Sequence, residues 1–186
     1  MIGYAFCGSF CTHEKSFEML RSLVESGVEI QPIMSETVYH TDTRFGSAND
    51  LVDKVRSLCK KEIIHNIVEA EPLGPNVKLE ALIISPCTGN TLAKIANGIT
   101  DTSVSMAAKA HLRSNRPLVI ALASNDALSS NLKNIGTLLS RKSVYFVPMV
   151  QDDPIEKPHS LIADFSLLKN TLSYALAGKQ YQKVFK

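Results

Sequence analysis

Short apolar runs alternate along the chain with longer stretches in which apolar residues recur every three or four positions. Ile2 to Cys7 is such a run, closed by Gly8 and Ser9, and predicts a first strand. From Glu14 to Ser26, Phe17, Leu20, Leu23 and Val24 fall at helical spacing, and Gly27 supplies a stop. Val28 to Met34 predicts a second strand, and Asn49 or Asp50 is placed to cap a helix ending near Lys61. Leu79 to Ser85 is almost continuously apolar, as a strand covered on both faces must be. Helices are expected over Thr91–Asn97 and Thr102–Arg113, a second buried strand over Pro117–Ala123, a helix over Leu128–Leu139 and a strand over Ser143–Val147. Gln151 to His159, with two prolines and four charges, reads as an exposed loop before an amphipathic helix from Ser160 to Leu176.

Strands alternating with helices imply an α/β fold: a parallel sheet with helices on both faces, in three layers. Five or six strands in 186 residues suit one open, doubly wound domain over residues 1–186 better than a barrel. With 45% hydrophobic and 20% charged residues, the composition excludes disorder for most of the chain. A formal net charge of +2 gives no footprint for nucleic acid or an anionic membrane. No apolar run approaches the roughly 20 residues of a membrane span. The first residues lack a basic stretch, so a cytoplasmic location is expected. The four cysteines (Cys7, Cys11, Cys59, Cys87) form no CxxC pair and the five histidines show no ligand spacing. Free thiols and no metal are therefore expected.

In doubly wound sheets ligands bind beyond the carboxyl ends of the strands. That directs attention to the loops Gly8–His13, Ser35–His40, Pro86–Asn90 and Ser124–Leu128. The first, Cys7-Gly8-Ser9-Phe10-Cys11-Thr12-His13, is neither GxGxxG nor GxxxxGK[ST]. It suits either a phosphate cradle at a helix start or a tight turn with Thr12 as cap. In the second, the Ser35 hydroxyl is placed to donate to a phosphate. The third carries Asn90 and Thr91 where a helix begins, with polar groups to present to a planar ligand. That helix is closed by Asn97-Gly98 within two turns, a length that is costly to form alone.

The stretch Pro86-Cys87-Thr88-Gly89-Asn90-Thr91, continuing through Leu92-Ala93-Lys94-Ile95-Ala96-Asn97-Gly98-Ile99 and Asp101, resembles the Pro-Ala-Ser-Ala-Asn-Thr motif of the flavoprotein family. That family includes flavin-containing cysteine decarboxylases and flavin prenyltransferases, and the resemblance runs from Gly3 to about Val147. It implies a Rossmann-like, flavodoxin-like fold that binds FMN at subunit contacts, in a homo-oligomer such as a trimer or dodecamer. By that resemblance Gly8 and Ser9 line the phosphate and ribityl end, and Ser35 meets the phosphate. Asn90 and Thr91 contact the flavin, Pro86, Cys87 and Thr88 shape the loop against its ring, and Ser105 matches a threonine of the next helix. Two features depart from the cysteine decarboxylases. Pro72 stands where they carry a catalytic histidine. Leu122-Ala123-Ser124-Asn125-Asp126-Ala127-Leu128 replaces their Pro-Xaa-Met-Asn-Xaa-Xaa-Met clamp, keeping only Asn125.

Together with Glu71-Pro72-Leu73-Gly74-Pro75, these loops resemble one branch of the family. There the chain works beside a second, different polypeptide, which carries any NADP, to dehydrogenate a small dicarboxylate. Asn125, Asp126 and Ala127 are then the expected substrate contacts. For proton transfer, His13 is a candidate base or a solvent-facing residue of its helix, and Asp126 a candidate acceptor or a helix cap. Cys7, Cys11 and Cys87 are expected near one pocket, either as redox groups or as packing residues. Three readings stay open: a component of an oxidoreductase, a non-catalytic flavin-fold partner that activates the second polypeptide, and a decarboxylase or prenyltransferase of other specificity.

Overall fold

The computed structural model describes residues 1–74 and 76–186. Four strands, β1 (Ile2–Phe6), β2 (Ile30–Met34), β3 (Leu82–Cys87) and β4 (Leu118–Ser124), run parallel in the order β2-β1-β3-β4. A fifth, β5 (Val144–Phe146), lies parallel beside β4. The two apolar faces follow from strand alternation. Leu82, Ile84, Leu118 and Ile120 face α5 (Gly89–Ala96), α6 (Ser103–Leu112) and α7 (Leu132–Leu139). Tyr4, Phe6, Ile83 and Val119 face α1 (His13–Glu25), α3 (Ala48–Cys59) and α8 (Leu168–Leu176). The fold is therefore the expected three-layer, flavodoxin-like α/β arrangement. The carboxyl ends of β1 to β4 all open onto one edge of the sheet.

The differences from the sequence reading lie mostly at that edge. The third strand begins later than expected and runs on through Pro86 and Cys87, which are strand and not loop residues. Residues 125–131 form turns, so the helix expected from Leu128 begins at Leu132. Ser160–Leu176 is not one helix. Two short strands, β6 (Met149–Val150) and β7 (Leu161–Ala163), form an antiparallel pair, and β7 pairs antiparallel with the end of β4. Ala123 pairs with Ile162 and Ser124 with Leu161. Three residues are too few for a period-two pattern to register, and only this pairing makes the segment a strand. Two short helices, α2 (Glu36–His40) and α4 (Ile67–Ala70), carry too few turns to show helical spacing. Ser47, rather than Asn49 or Asp50, caps α3. The Thr12 side chain caps nothing; its hydroxyl donates to the Ser9 carbonyl at 2.8 Å.

Candidate functional site

The β1–α1 loop is built to lie against its neighbours. Ser9 adopts left-handed backbone (φ 62°, ψ 48°), which turns its hydroxyl across the sheet to donate to the Ala123 carbonyl at 2.7 Å. A Cβ on Gly8 would sit 3.2 Å from Thr88 Cγ2, so glycine lets the first and third loops touch. Beneath them lie the buried thiols of Cys7 and Cys87. Burial pushes Cys7 up to about 12 and Cys87 well above the ordinary thiol range. Both are packing thiols, with no thiolate available near neutrality. Cys11 alone of the three is exposed.

Thr88 caps α5, accepting from the Thr91 backbone N–H at 3.1 Å and donating to Thr91 Oγ1 at 3.1 Å. The cap fixes Asn90, exposed on the first turn, over the end of the sheet. Next to it the Asp126 carboxylate acts as a hub. It accepts from the Ser124 hydroxyl (2.5 Å), the Ser130 hydroxyl (2.8 Å) and the Asn131 amide (2.9 Å). These donors, Ser124 first, hold its carboxyl below the usual range. Asn134 donates to Asn131 (2.8 Å) and Asn97 donates to Asn134 (3.2 Å), which carries the network to the end of α5. The motif residue Asn97 thus secures the β4 loop against α5. Asp126 does not cap α7, which starts at Leu132, and its oxygens are occupied by donors that make it a poor base.

A cavity of about 280 Å³ opens between these loops, lined by Ser9, Thr88, Asn90, Asn125 and Asp126. Those are the expected site residues that the fold brings together. Thr91 is nearly buried beside them, and Pro86, Cys87 and Ala127 lie beneath. Ala127 precedes the first turn of α7 by several residues, so its N–H is not part of a helix terminus. Three further expected residues lie outside the lining of this cavity. Ser35 caps α2, accepting from the Val38 N–H at 3.3 Å. Ser105 closes a capping box with Thr102 at the start of α6. His13 lies behind the first loop in a separate cavity of about 350 Å³, lined in part by Phe10, Phe17 and Phe45. Its Nε2 is 2.7 Å from the Cys7 carbonyl oxygen, and burial lowers its pKa. Of the stretch Glu71–Pro75, Pro75 lies outside the described residues. Gly74 packs where a Cβ would strike the Ala110 carbonyl.

Sequence reasoning missed Asp152, Lys157 and Ser160, which complete the wall of the same cavity. Charges in a proline-containing loop signal solvent, and nothing local says otherwise. The usable signal was a pair: Met149-Val150 and Leu161-Ile162-Ala163 as two apolar runs flanking a polar loop. Among the described residues no cluster of three or more His, Cys, Asp or Glu is arranged to hold a metal ion. No helix among them is long and apolar enough to cross a membrane.

The fold, and a motif that presents Asn90 at the strand ends, define a class. The flavoprotein family model matches residues 1–166, and the chain belongs to that family. Within it, the chain is 44% identical over 183 residues to the B-type subunit of dipicolinate synthase from Bacillus subtilis (strain 168), covering 98% of this chain and 92% of that one. A crystal structure of the same B-type subunit from Bacillus halodurans C superposes with a TM-score of 0.91 at 40% identity, covering all of this chain and 95% of that one. AnUbiX in complex with FMN and dimethylallyl pyrophosphate shares the fold, with a TM-score of 0.64 at 24% identity over 79% of this chain and 76% of that one.

Proposed function

We propose that this chain is the B-type subunit of a dipicolinate synthase. In this reading it acts with the A-type subunit to convert a dihydrodipicolinate-type intermediate into pyridine-2,6-dicarboxylate during sporulation, in the mother-cell cytoplasm. The observation that carries the reading is 44% identity over 98% of the chain, a span that includes every residue of the 280 Å³ cavity.

The residues of that cavity fit a flavin. The Asn90 carboxamide offers one donor and one acceptor group, the complement of an imide edge. Among the described residues it makes no hydrogen bond within the chain. The Ser9 and Thr88 hydroxyls lie on the same wall, and Ala123, Leu161 and Ile162 supply apolar surface that excludes water. At about 280 Å³ the cavity is just under the roughly 300–1,000 Å³ of pockets that enclose a drug-sized ligand. A second copy of the chain would close its open side, as in a trimer or dodecamer. FMN, when bound, supplies the acceptor for the two electrons that leave as the substrate ring becomes aromatic. Asn125 donates to a substrate carboxylate. Asp126, held low by its donors, stays ionised and fixes the loop that carries Asn125. NADP, where it is used, belongs to the A-type subunit.

One observation favours a second reading, a non-catalytic partner that activates the A-type subunit. Ser105, expected on the flavin, is buried, and its hydroxyl both accepts and donates inside a capping box. Titrating FMN fluorescence with the dialysed chain and its Asn90→Ala variant separates the two. Saturable quenching that the variant loses supports a flavin at the motif. No quenching at about 100 µM chain, a binding free energy weaker than about −5 kcal/mol, removes the flavin and leaves the activator reading. Product formation with and without the A-type subunit then decides whether the chain takes part in the synthase reaction.

A further inference from the structure

Lys157 is the one cation among the described residues that line the 280 Å³ cavity. It sits on the loop between β6 and β7, which its own hydrogen bonds hold in shape. The Lys157 N–H donates to the Asp153 carbonyl at 2.8 Å, and the Ser160 N–H to the Lys157 carbonyl at 3.0 Å. The Glu156 N–H donates to the Asp153 carboxylate at 2.9 Å, and the Gln151 amide to the Pro158 carbonyl at 3.0 Å. The loop is also tied to the one that carries Asn125 and Asp126, through the Leu128 N–H donating to the His159 carbonyl at 2.9 Å. Two loops distant in sequence therefore present one face to the cavity.

Both carboxylates of that face are engaged by donors within the chain. Asp126 has its oxygens occupied by Ser124, Ser130 and Asn131. Asp152 is held by Ser160 and by Lys157, whose Nζ donates to Asp152 Oδ2 at 3.2 Å. That bond uses one of three ammonium N–H groups and leaves two for a ligand. It also restrains a side chain that is otherwise half-exposed and free to rotate, which reduces the entropy lost when a ligand is gripped.

We infer that Lys157 is a substrate-binding residue that grips one carboxylate of the dicarboxylate, with Asp152 as the positioning residue that holds its ammonium in the cavity. The inference rests on the function proposed above, and it assigns the charge recognition that the sequence motifs leave without a cation. Asn125 then meets the second carboxylate as a neutral donor. Arginine at 157 retains the charge and the reach, whereas methionine retains the apolar stem without the charge.

Titration calorimetry with pyridine-2,6-dicarboxylate, on the wild-type chain with and without FMN, gives the direct test. Lys157→Met is expected to weaken binding by about tenfold to a hundredfold, the worth of a charge-assisted hydrogen bond, while Lys157→Arg stays within a few-fold of wild type. Pyridine, which has no carboxylate, should not distinguish the variants. In the assembled synthase Lys157→Met should raise KM by the same factor and leave kcat within about twofold. Thermal melts establish that both variants are folded. Wild-type-like dicarboxylate affinity and KM in Lys157→Met overturn the assignment while the wild-type product assay still supports the synthase reading. No product from the wild-type pair overturns that reading, and this assignment with it.

Discussion

Gly89 decides whether α5 and the β4 loop can share one space, and replacing it by alanine makes that contact measurable. It lies in the first turn of α5, outside the positive-φ region, so alanine meets no backbone penalty there. What alanine meets is side chains. A Cβ at this position would press on Ser124 Oγ and come within 2.6 Å of Asn131 Nδ2 and 2.7 Å of Asp126 Oδ1. All three atoms belong to the hydrogen-bonded hub, so none moves without breaking a bond to a carboxylate. Overpacking of this kind costs about 1–3 kcal/mol. A lost hydrogen bond to a charged group costs about 1.5–3 kcal/mol. Alanine's helix propensity returns at most about 1 kcal/mol. The expected loss is about 2–4 kcal/mol, or a fall in Tm of about 2–4 °C for each kcal/mol in a domain of this size. Gly136→Ala is the control. It makes the same change inside α7, where a Cβ meets nothing within 4 Å, and should stabilise by about 0.5–1 kcal/mol. Urea unfolding of both variants, with the slope unchanged from wild type, reads the two free energies. A midpoint for Gly89→Ala at or above that of wild type would refute the packing argument.

Three further outcomes follow from the same geometry. Asn131→Ala leaves an Asp126 oxygen and the Asn134 amide short of a partner, so urea unfolding should show a loss of about 2–4 kcal/mol. Stability should fall with acid in two ranges, read from unfolding midpoints across pH. His13 and His111 have pKa values lowered by burial, so the unfolded chain takes up protons that the native one refuses once pH drops below about 6.5. The contribution of Asp126, whose carboxyl is depressed, is fully present above about pH 4 and is lost as pH falls through its lower native value. Asp126→Asn should flatten that acid limb alone. Alkylation near neutral pH, followed by mass spectrometry, should label Cys11 first and reach Cys7 and Cys87 only after unfolding.

The parts of the fold legible in the sequence are those in which burial writes a long pattern. Both buried strands, the helices after them and the layer count follow from apolar runs and helical spacing. So does the edge of the sheet where the site lies, because Asn90, Ser124 and Asn125 fall at or just beyond the ends of those strands. The C-terminal third was harder to read because β7 is three residues long and is a strand only by pairing with Ala123 and Ser124. Lys157 and Asp152 were hidden for the same reason: a charged loop looks solvated until a distant strand folds it over a cavity. Ser35 and Ser105 carry a different ambiguity. A hydroxyl at a loop end serves a ligand or a helix cap equally well in sequence, and the capping geometry is visible only in three dimensions.

The bond from the Ser9 hydroxyl to the Ala123 carbonyl spans 114 positions of the chain. Closing a flexible loop of that length costs about 4 kcal/mol in chain entropy, several times the net worth of one hydrogen bond. The bond cannot gather its two ends; it forms after β3 has paired with both β1 and β4 and brought them together. The first loop's hold on the cavity is therefore a late event in folding, and a partly folded chain has no version of it. A ligand that needs this wall recognises only the completed sheet, so its binding should slow opening of the sheet as a whole rather than of one loop. Hydrogen exchange would register such a ligand in amides along the whole of β1, β3 and β4, and not only at the strand ends beside the cavity.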